Sequence, residues 1–140
     1  MKIRVVCKDD LLPCYAKPGD VGMDLKADIE SPVLIRPQQS ALIGTGLKIE
    51  LPPAVMAVVH PRSGLASKHL VMTSTGIIDT GYRGEIKVNL MNLGQTAISV
   101  KPGMRIAQLV FQPVYFAEFE QVDELTETPR GGDGFGSTGV

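Results

Sequence analysis

Short runs of strand-forming residues, each cut off by glycine or proline chemistry before it can lengthen, dominate this chain and exclude most folds at once. Lys2 to Cys7, Val33 to Arg36, Ala41 to Ile43, Leu47 to Leu51, Ala54 to His60, Leu70 to Thr75, Glu85 to Leu90, Ala97 to Val100, Arg105 to Gln112 and Val114 to Phe119 are all apolar or alternating. That is the pattern of pleated strands. Lys48 and Glu50 alternate with Leu47, Ile49 and Leu51 and predict a half-buried strand. Val58-Val59 and Leu109-Val110-Phe111 are unbroken and predict strands buried on both faces. Lys17 to Leu25 reads as irregular, and only Ser63 to His69 reads as a helix, a short one. With Gly 15 and Pro 10 supplying the turns, the expectation is an all-β fold: a jelly-roll-like sandwich or distorted barrel with at most one short helix.

A chain of 140 residues is long enough for one core. Its formal net charge is −1 and no lysine or arginine block stands out, so the electrostatic footprint of a nucleic-acid binder is missing. The aromatic share, 5%, also argues against a base-stacking surface. No stretch approaches a membrane span, and Met1 to Val6 lacks the apolar core of a signal peptide. Cys7 and Cys14 offer neither a disulfide framework nor a metal spacing. A soluble protein of a reducing compartment, the cytoplasm, is expected.

Gly76-Ile77-Ile78-Asp79-Thr80-Gly81-Tyr82-Arg83-Gly84-Glu85 lies between two strand-like runs and reads as a hairpin with Asp79 and Tyr82 at its tip. A turn needs glycine where φ is positive, but it needs neither an aspartate nor an aromatic there. Pro61-Arg62-Ser63-Gly64-Leu65-Ala66 ends a strand and opens the helix; Ser63 reads as its N-cap, or its N–H groups as an anion site. Asp20-Val21-Gly22-Met23-Asp24 opens like a calcium loop, but Leu25 stands where glycine belongs and Ser31 where glutamate belongs. These aspartates are then turn formers, or a distant acid near a metal-bound phosphate. Arg105 and Gln108 head a strongly apolar strand, either as edge residues or as polar groups for a ligand.

From Thr126 onward the chain is polar, and Arg130 to Val140 has almost nothing to pack, so a mobile tail is expected. Gly134-Phe135-Gly136-Ser137-Thr138-Gly139 matches the three-glycine dinucleotide fingerprint only formally, because no helix follows it. An arginine, two hydroxyls and bare N–H groups make a phosphate clasp, and a lone ring makes a base-stacking lid. The organisation expected is a core over 1–125 and a lid segment over 126–140.

Each stretch alone is ambiguous. Taken together, Gly22-Met23-Asp24-Leu25, Pro61 to Ala66, Gly76 to Glu85, Arg105-Ile106-Ala107-Gln108 and the tail from Arg130 to Gly139 follow one another in the order of a known family. Over nearly its full length the chain resembles the trimeric, all-β deoxyuridine triphosphatases (dUTPases). The resemblance implies hydrolysis of dUTP to dUMP and pyrophosphate with Mg²⁺ on the triphosphate, limiting uracil incorporation into DNA and supplying dUMP for thymidylate synthesis. It implies that Asp79 activates the water and accepts from the 3′-hydroxyl, and that Tyr82 lies under the deoxyribose where a 2′-hydroxyl would need room. Gly76 and Ile78 would offer backbone groups to uracil. Arg62, Ser63, Gly64 and Gln108 would hold the phosphates or the water, and Asp24 would reach the metal through water. Arg130, Gly136, Ser137 and Thr138 would close on the phosphates, with Phe135 on the base. The implied assembly is a homotrimer with sites shared between subunits, and no nucleic-acid or membrane partner.

Some members of that family carry an asparagine facing uracil on a longer hairpin arm; here Thr73-Ser74-Thr75 precede Gly76, so base reading would rest mainly on the main chain. Two alternatives remain at this point. A deoxycytidine triphosphate deaminase shares the fold but would need an acid–base glutamate. A non-catalytic nucleotide-binding jelly roll would have kept the motifs without the chemistry.

Overall fold

The computed structural model describes residues 1–74 and 76–132. Among the described residues its strands are β1 (Arg4–Val6), β2 (Met23–Lys26), β3 (Val33–Ile35), β4 (Ser40–Gly44), β5 (Lys48–Glu50), β6 (Val55–Pro61), β7 (Val71–Thr73), β8 (Gly76–Ile78), β9 (Lys87–Asn92), β10 (Ile98–Val100) and β11 (Arg105–Pro113), with one α-helix, α1 (Ser63–His69), and a 3-10 turn at Asp9–Leu11. They form a jelly-roll-like, distorted barrel of small antiparallel sheets: β1 with β5, β10 with β3, the three-stranded β4-β9-β7, and the four-stranded β2-β11-β6-β8. Among the described residues no helix is long and apolar enough to cross a membrane.

The buried set comes from the alternating positions. Leu25, Ile35, Ile43, Val88, Leu90, Val100, Ile106 and Leu109 are almost wholly enclosed and form one cluster. Each such side chain stabilises the fold by roughly 1.5–3 kcal/mol relative to exposure. Asn92, a polar side chain deep among them, is satisfied: its amide donates to the carbonyls of Ile35 and Thr96 at 2.9 Å, and its Oδ1 accepts from the Gly94 N–H at 3.0 Å. Helix α1 stops at Leu70, which takes φ +52° and donates its N–H to Ala66. Cys7 and Cys14 are free thiols; burial, then Asp9 and Asp10, push the Cys7 thiol up from its ordinary range.

Three expectations change. Met23–Lys26 is a strand, not an irregular loop, because it pairs with β11 with Asp24 opposite Gln108; Asp24 is therefore no turn former. Val114 to Phe119 is not a strand. After Val114 donates to the Ala54 carbonyl, that stretch finds no ladder among the described residues, and Tyr115 (93%), Phe116 (82%) and Phe119 (97%) are exposed. Ser63 is not an N-cap: Arg62 occupies that position without a side-chain cap, and Ser63 is the first helical residue.

Candidate active site

The hairpin reading is half right. β7 and β9 pair from Val71 opposite Asn92 to Thr73 opposite Leu90, and Ser74 adds a bond to the Asn89 carbonyl. The chain then leaves that ladder. Gly76 to Ile78 pair instead with β6, as Gly76–Val59, Ile77–Val58 and Ile78–Ala57. β8 is thereby the edge of the four-stranded sheet, and an edge strand presents a row of N–H and C=O groups without ladder partners. Ile78 packs inward while Ile77 is 65% exposed.

Asp79 follows directly, and its carbonyl accepts the Tyr82 N–H at 3.0 Å to close a turn. The Thr80 hydroxyl donates to the Val55 carbonyl at 3.1 Å, tying the turn to the start of β6. Arg83 Nη1 donates to the carbonyls of Thr80 (2.8 Å) and Tyr82 (2.9 Å), so one guanidinium collects two groups that the turn leaves outside any ladder. The Tyr82 hydroxyl donates to the Glu85 carbonyl at 2.9 Å. The Tyr82 ring lies so close over Gly84 that a Cβ there would collide with its hydroxyl end. Gly76, Gly81 and Gly84 all have ordinary φ; Gly84 is required by the ring above it and not by a left-handed backbone.

Around this turn lies a cleft of about 660 Å³ lined by Gly76 to Asp79, Tyr82, Gly84 to Lys87, Leu42, Lys48 and Val59. Its floor is braced from the opposite loop. Glu85 Oε1 accepts the Gly46 N–H at 2.9 Å, and the Thr45 hydroxyl donates to the Ile86 carbonyl at 2.6 Å. Gly44 has no room for a side chain, since a Cβ would stand 2.7 Å from Glu85 Oε1. Gly46 combines a φ of +64° with a Cβ position 2.6 Å from Asp28 Oδ2. Thr73 is buried at 6% exposure, its hydroxyl without a partner among the described residues.

A second cluster sits where β2, β11 and the end of β6 meet. Asp24 is 7% exposed, and both its oxygens are taken: Oδ1 accepts from Arg62 Nε at 2.9 Å and Oδ2 from Arg105 Nη1 at 3.1 Å. Arg62 Nη1 also donates to the Arg105 carbonyl at 3.3 Å. Gln108 is opposite both Asp24 and His60, and its side chain lies against Gly22, where an added Cβ would stand 3.1 Å from Gln108 Cβ. Ser63 and Gly64 follow Arg62 at the head of α1. Two guanidiniums around one carboxylate leave the cluster with one net positive charge.

Asp24, Arg62, Ser63, Gly64 and Gln108 thus come together, and Gly76, Ile78, Asp79 and Tyr82 come together, but the two groups stand apart. The turn with Asp79 abuts the start of β6 and Arg62 follows its end. A strand of 7 residues spans about 20 Å at ~3.3 Å per residue. Arg130 is described and exposed; Phe135, Gly136, Ser137 and Thr138 lie outside the described residues. Residues that sequence reasoning passed over are Arg83, Glu85 and Thr45. The Gly44-Thr45-Gly46 run was the signal for the brace.

The dUTPase family model matches residues 9–139. The chain is 49% identical over 140 residues to the deoxyuridine 5′-triphosphate nucleotidohydrolase of Clostridium kluyveri, covering 99% of this chain and 96% of that protein. It is 51% identical over 145 residues to the protein of the same name from Desulfitobacterium hafniense, covering 100% and 96%. Its fold is similar to that of a Staphylococcus bacteriophage 80alpha dUTPase solved with dUpNHpp, at a TM-score of 0.90, 27% identity and 99% coverage of both chains.

Proposed function

The chain belongs to the dUTPase family, and on that premise we propose that it hydrolyses dUTP to dUMP and pyrophosphate in the cytoplasm, limiting uracil incorporation into DNA and supplying dUMP for thymidylate synthesis. The observation that carries the reading is Asp79, held in a pinned turn at the end of an open edge strand inside a nucleoside-sized cleft. Water attacks the α-phosphorus as Asp79 takes its proton, and the bond to the bridging oxygen breaks to release pyrophosphate. Such a displacement asks for positioning and charge neutralisation more than for covalent chemistry.

The unpaired edge of β8 at Gly76 to Ile78 reads the uracil edge. The space where a Cβ of Gly76 would stand is open, which lets a base approach the backbone. Cytosine would set a donor against a donor, a mismatch that costs about 10⁴-fold in favourable sites. Tyr82, its ring fixed by Gly84 and the Glu85 carbonyl, lies under the sugar. Arg62, Ser63, Gly64 and Gln108 hold phosphates and water; Arg130, Gly136, Ser137 and Thr138 close on the phosphates, and Phe135 stacks on the base.

Among the described residues no group of three or more His, Cys, Asp or Glu could hold a metal ion, which fits a Mg²⁺ that arrives on the triphosphate. Asp24 would meet it through water, since each carboxylate oxygen keeps a lone pair beside its guanidinium contact. When bound, the ion neutralises charge on the phosphate oxygens.

The separation of Asp79 from Arg62 along β6 supports a homotrimer with shared sites, in which one subunit lends the turn, a second the arginine cluster and a third the tail. The exposed Tyr115, Phe116 and Phe119 support it too, because a contiguous apolar segment of this kind marks an interaction surface. Two inactive variants, Asp79→Asn and Arg62→Ala, are expected to regain partial activity when co-refolded, since some mixed sites receive neither lesion. No rescue on mixing, or a monomer by light scattering, contradicts the shared site.

The reaction itself is tested by pyrophosphate release from dUTP, UTP, dCTP and dTTP. dUTP alone should turn over rapidly, while ammonia from dCTP would indicate the deaminase and silence on all four a binding protein. Tyr82→Ala is expected to narrow the gap between dUTP and UTP severalfold, and Gly84→Ala, which displaces the same ring, should shift the ratio in the same direction. An unchanged ratio in both removes Tyr82 from sugar selection.

A further inference from the structure

We propose that the loop from Gly44 to Leu47, clamped by the Glu85 carboxylate, sets the position of the Tyr82 ring, which makes Glu85 a positioning residue for sugar selection; this rests on the dUTPase reading above. Tyr82 is 45% exposed, so packing alone does not fix its ring. Its hydroxyl donates to the Glu85 carbonyl at 2.9 Å. That carbonyl shares a peptide unit with the Ile86 N–H, which donates to the Leu47 carbonyl at 2.8 Å. A peptide unit is planar, so the oxygen that holds the phenol stands where Leu47 puts it. Bonds chained through one amide also polarise each other. The Ile86 carbonyl takes the Thr45 hydroxyl at 2.6 Å, so the peptide units on both sides of Ile86 are tied to one loop.

The loop is held in turn by the residue it serves. Glu85 Oε1 accepts the Gly46 N–H at 2.9 Å, and Gly46 keeps a φ of +64°, which few other residues hold without strain. On the far side the Asp28 N–H donates to the Gly44 carbonyl at 2.8 Å, and Lys8 holds the Asp28 carboxylate at 2.7 Å. Leu42 and Lys48, just outside the loop on either side, line the same cleft as Tyr82. The Glu85 side chain is 30% exposed, and its second oxygen stands 3.9 Å from Lys87 Nζ, too far for a hydrogen bond. Its committed contact is therefore Gly46. A ring excludes a 2′-hydroxyl by bulk only if it cannot retreat, and such a restraint has to come from groups behind the ring. Glu85 acts through the loop and through its own carbonyl, so it is a positioning residue and not a catalytic one.

The test measures kcat/KM for dUTP and UTP, together with the Tyr82 ring resonances of the ligand-free protein by NMR, assigned by their loss in Tyr82→Phe. The variants are Glu85→Ala, Glu85→Asp, Glu85→Gln, Tyr82→Phe and the double variant Tyr82→Phe with Glu85→Ala. Glu85→Ala should raise UTP relative to dUTP roughly 3- to 10-fold, a part of the worth of a charge-assisted hydrogen bond. Glu85→Asp keeps the charge but falls one methylene short of Gly46, so the ratio should move the same way; it also serves should the alanine variant fail to fold. Glu85→Gln keeps an acceptor oxygen for Gly46 and should hold the ratio within about twofold of wild type. Once Tyr82→Phe has removed the hydroxyl, Glu85→Ala should change the ratio no further. A ratio that stays put in Glu85→Ala and Glu85→Asp while Tm falls makes Glu85 structural only, and effects that multiply in the double variant show that it acts apart from the ring; either overturns the proposal. The ring resonances should shift in Glu85→Ala and not in Glu85→Gln, whatever the protein hydrolyses. If wild type does not turn over dUTP, the failure belongs to the dUTPase reading, whereas ring resonances indifferent to Glu85 overturn the clamp separately.

Discussion

Asp79→Asn is expected to keep the fold and the affinity for a non-hydrolysable dUTP analogue while losing about 10²–10⁴ in kcat, the usual worth of a positioned base. The substitution is nearly isosteric, and what holds the turn does not involve the carboxylate. The Tyr82 N–H goes to the Asp79 backbone carbonyl, the Thr80 hydroxyl to Val55, and Arg83 to two further carbonyls. An asparagine can therefore sit in the same place and still accept a hydrogen bond from a water or a 3′-hydroxyl. It cannot take the proton that must leave the water as it attacks phosphorus. Turnover falling with analogue binding preserved identifies Asp79 as the base. Turnover within a few-fold of wild type removes it from the mechanism, and a joint loss of binding and Tm would mean that the turn was misjudged.

What was legible in the sequence divides along the range of the interactions. Helix α1 falls on Ser63 to His69 as expected, because a helix is made of local bonds and its residues carry their own signal. β11 is as clear, paired between β2 and β6, although of Leu109-Val110-Phe111 only Leu109 is fully buried and the run is not enclosed on both faces as expected. β8 was hidden by its neighbourhood. Gly76 to Ile78 lies where a hairpin arm would, yet it pairs with a strand about twenty residues earlier, and periodicity does not encode partners. β2 was masked by Asp24, a charge at a buried strand position that reads as a loop until its two arginines are found. The stretch from Val114 to Phe119 has a strand's composition but no ladder among the described residues. At the proposed site, Asp79 and Tyr82 stand out by residue type, because a turn needs neither a carboxylate nor an aromatic. The supports around them, Arg83, Glu85 and the Gly44-Thr45-Gly46 loop, act through carbonyls and close approach, which leave little trace in composition.

Truncation after Pro129 is expected to leave Tm nearly unchanged and to lower kcat/KM by about 10²-fold or more, the worth of a lost transition-state clamp. The stability half follows from where the core ends. Among the described residues the last fully buried apolar one is Leu109, the last strand stops at Pro113, and residues 126–132 are exposed. Removing what lies beyond Pro129 takes away no described core side chain. The activity half follows from the residue types in the removed piece. Arg130, Ser137 and Thr138 can donate to a terminal phosphate, and Phe135 can cover a base, whereas a segment so rich in glycine is entropically expensive to order for any lesser purpose. Substrate must supply the contacts that offset that cost, so the closing of the segment should depend on the triphosphate. Because the chain has Trp 0, Phe135→Trp introduces a single indole whose emission reports that event. Its emission should change on adding dUpNHpp with Mg²⁺ and change less with dUMP, which lacks the terminal phosphate. A signal indifferent to the triphosphate, or a truncated enzyme of normal efficiency, would leave the site complete without its lid and return the whole of phosphate binding to the cluster around Asp24.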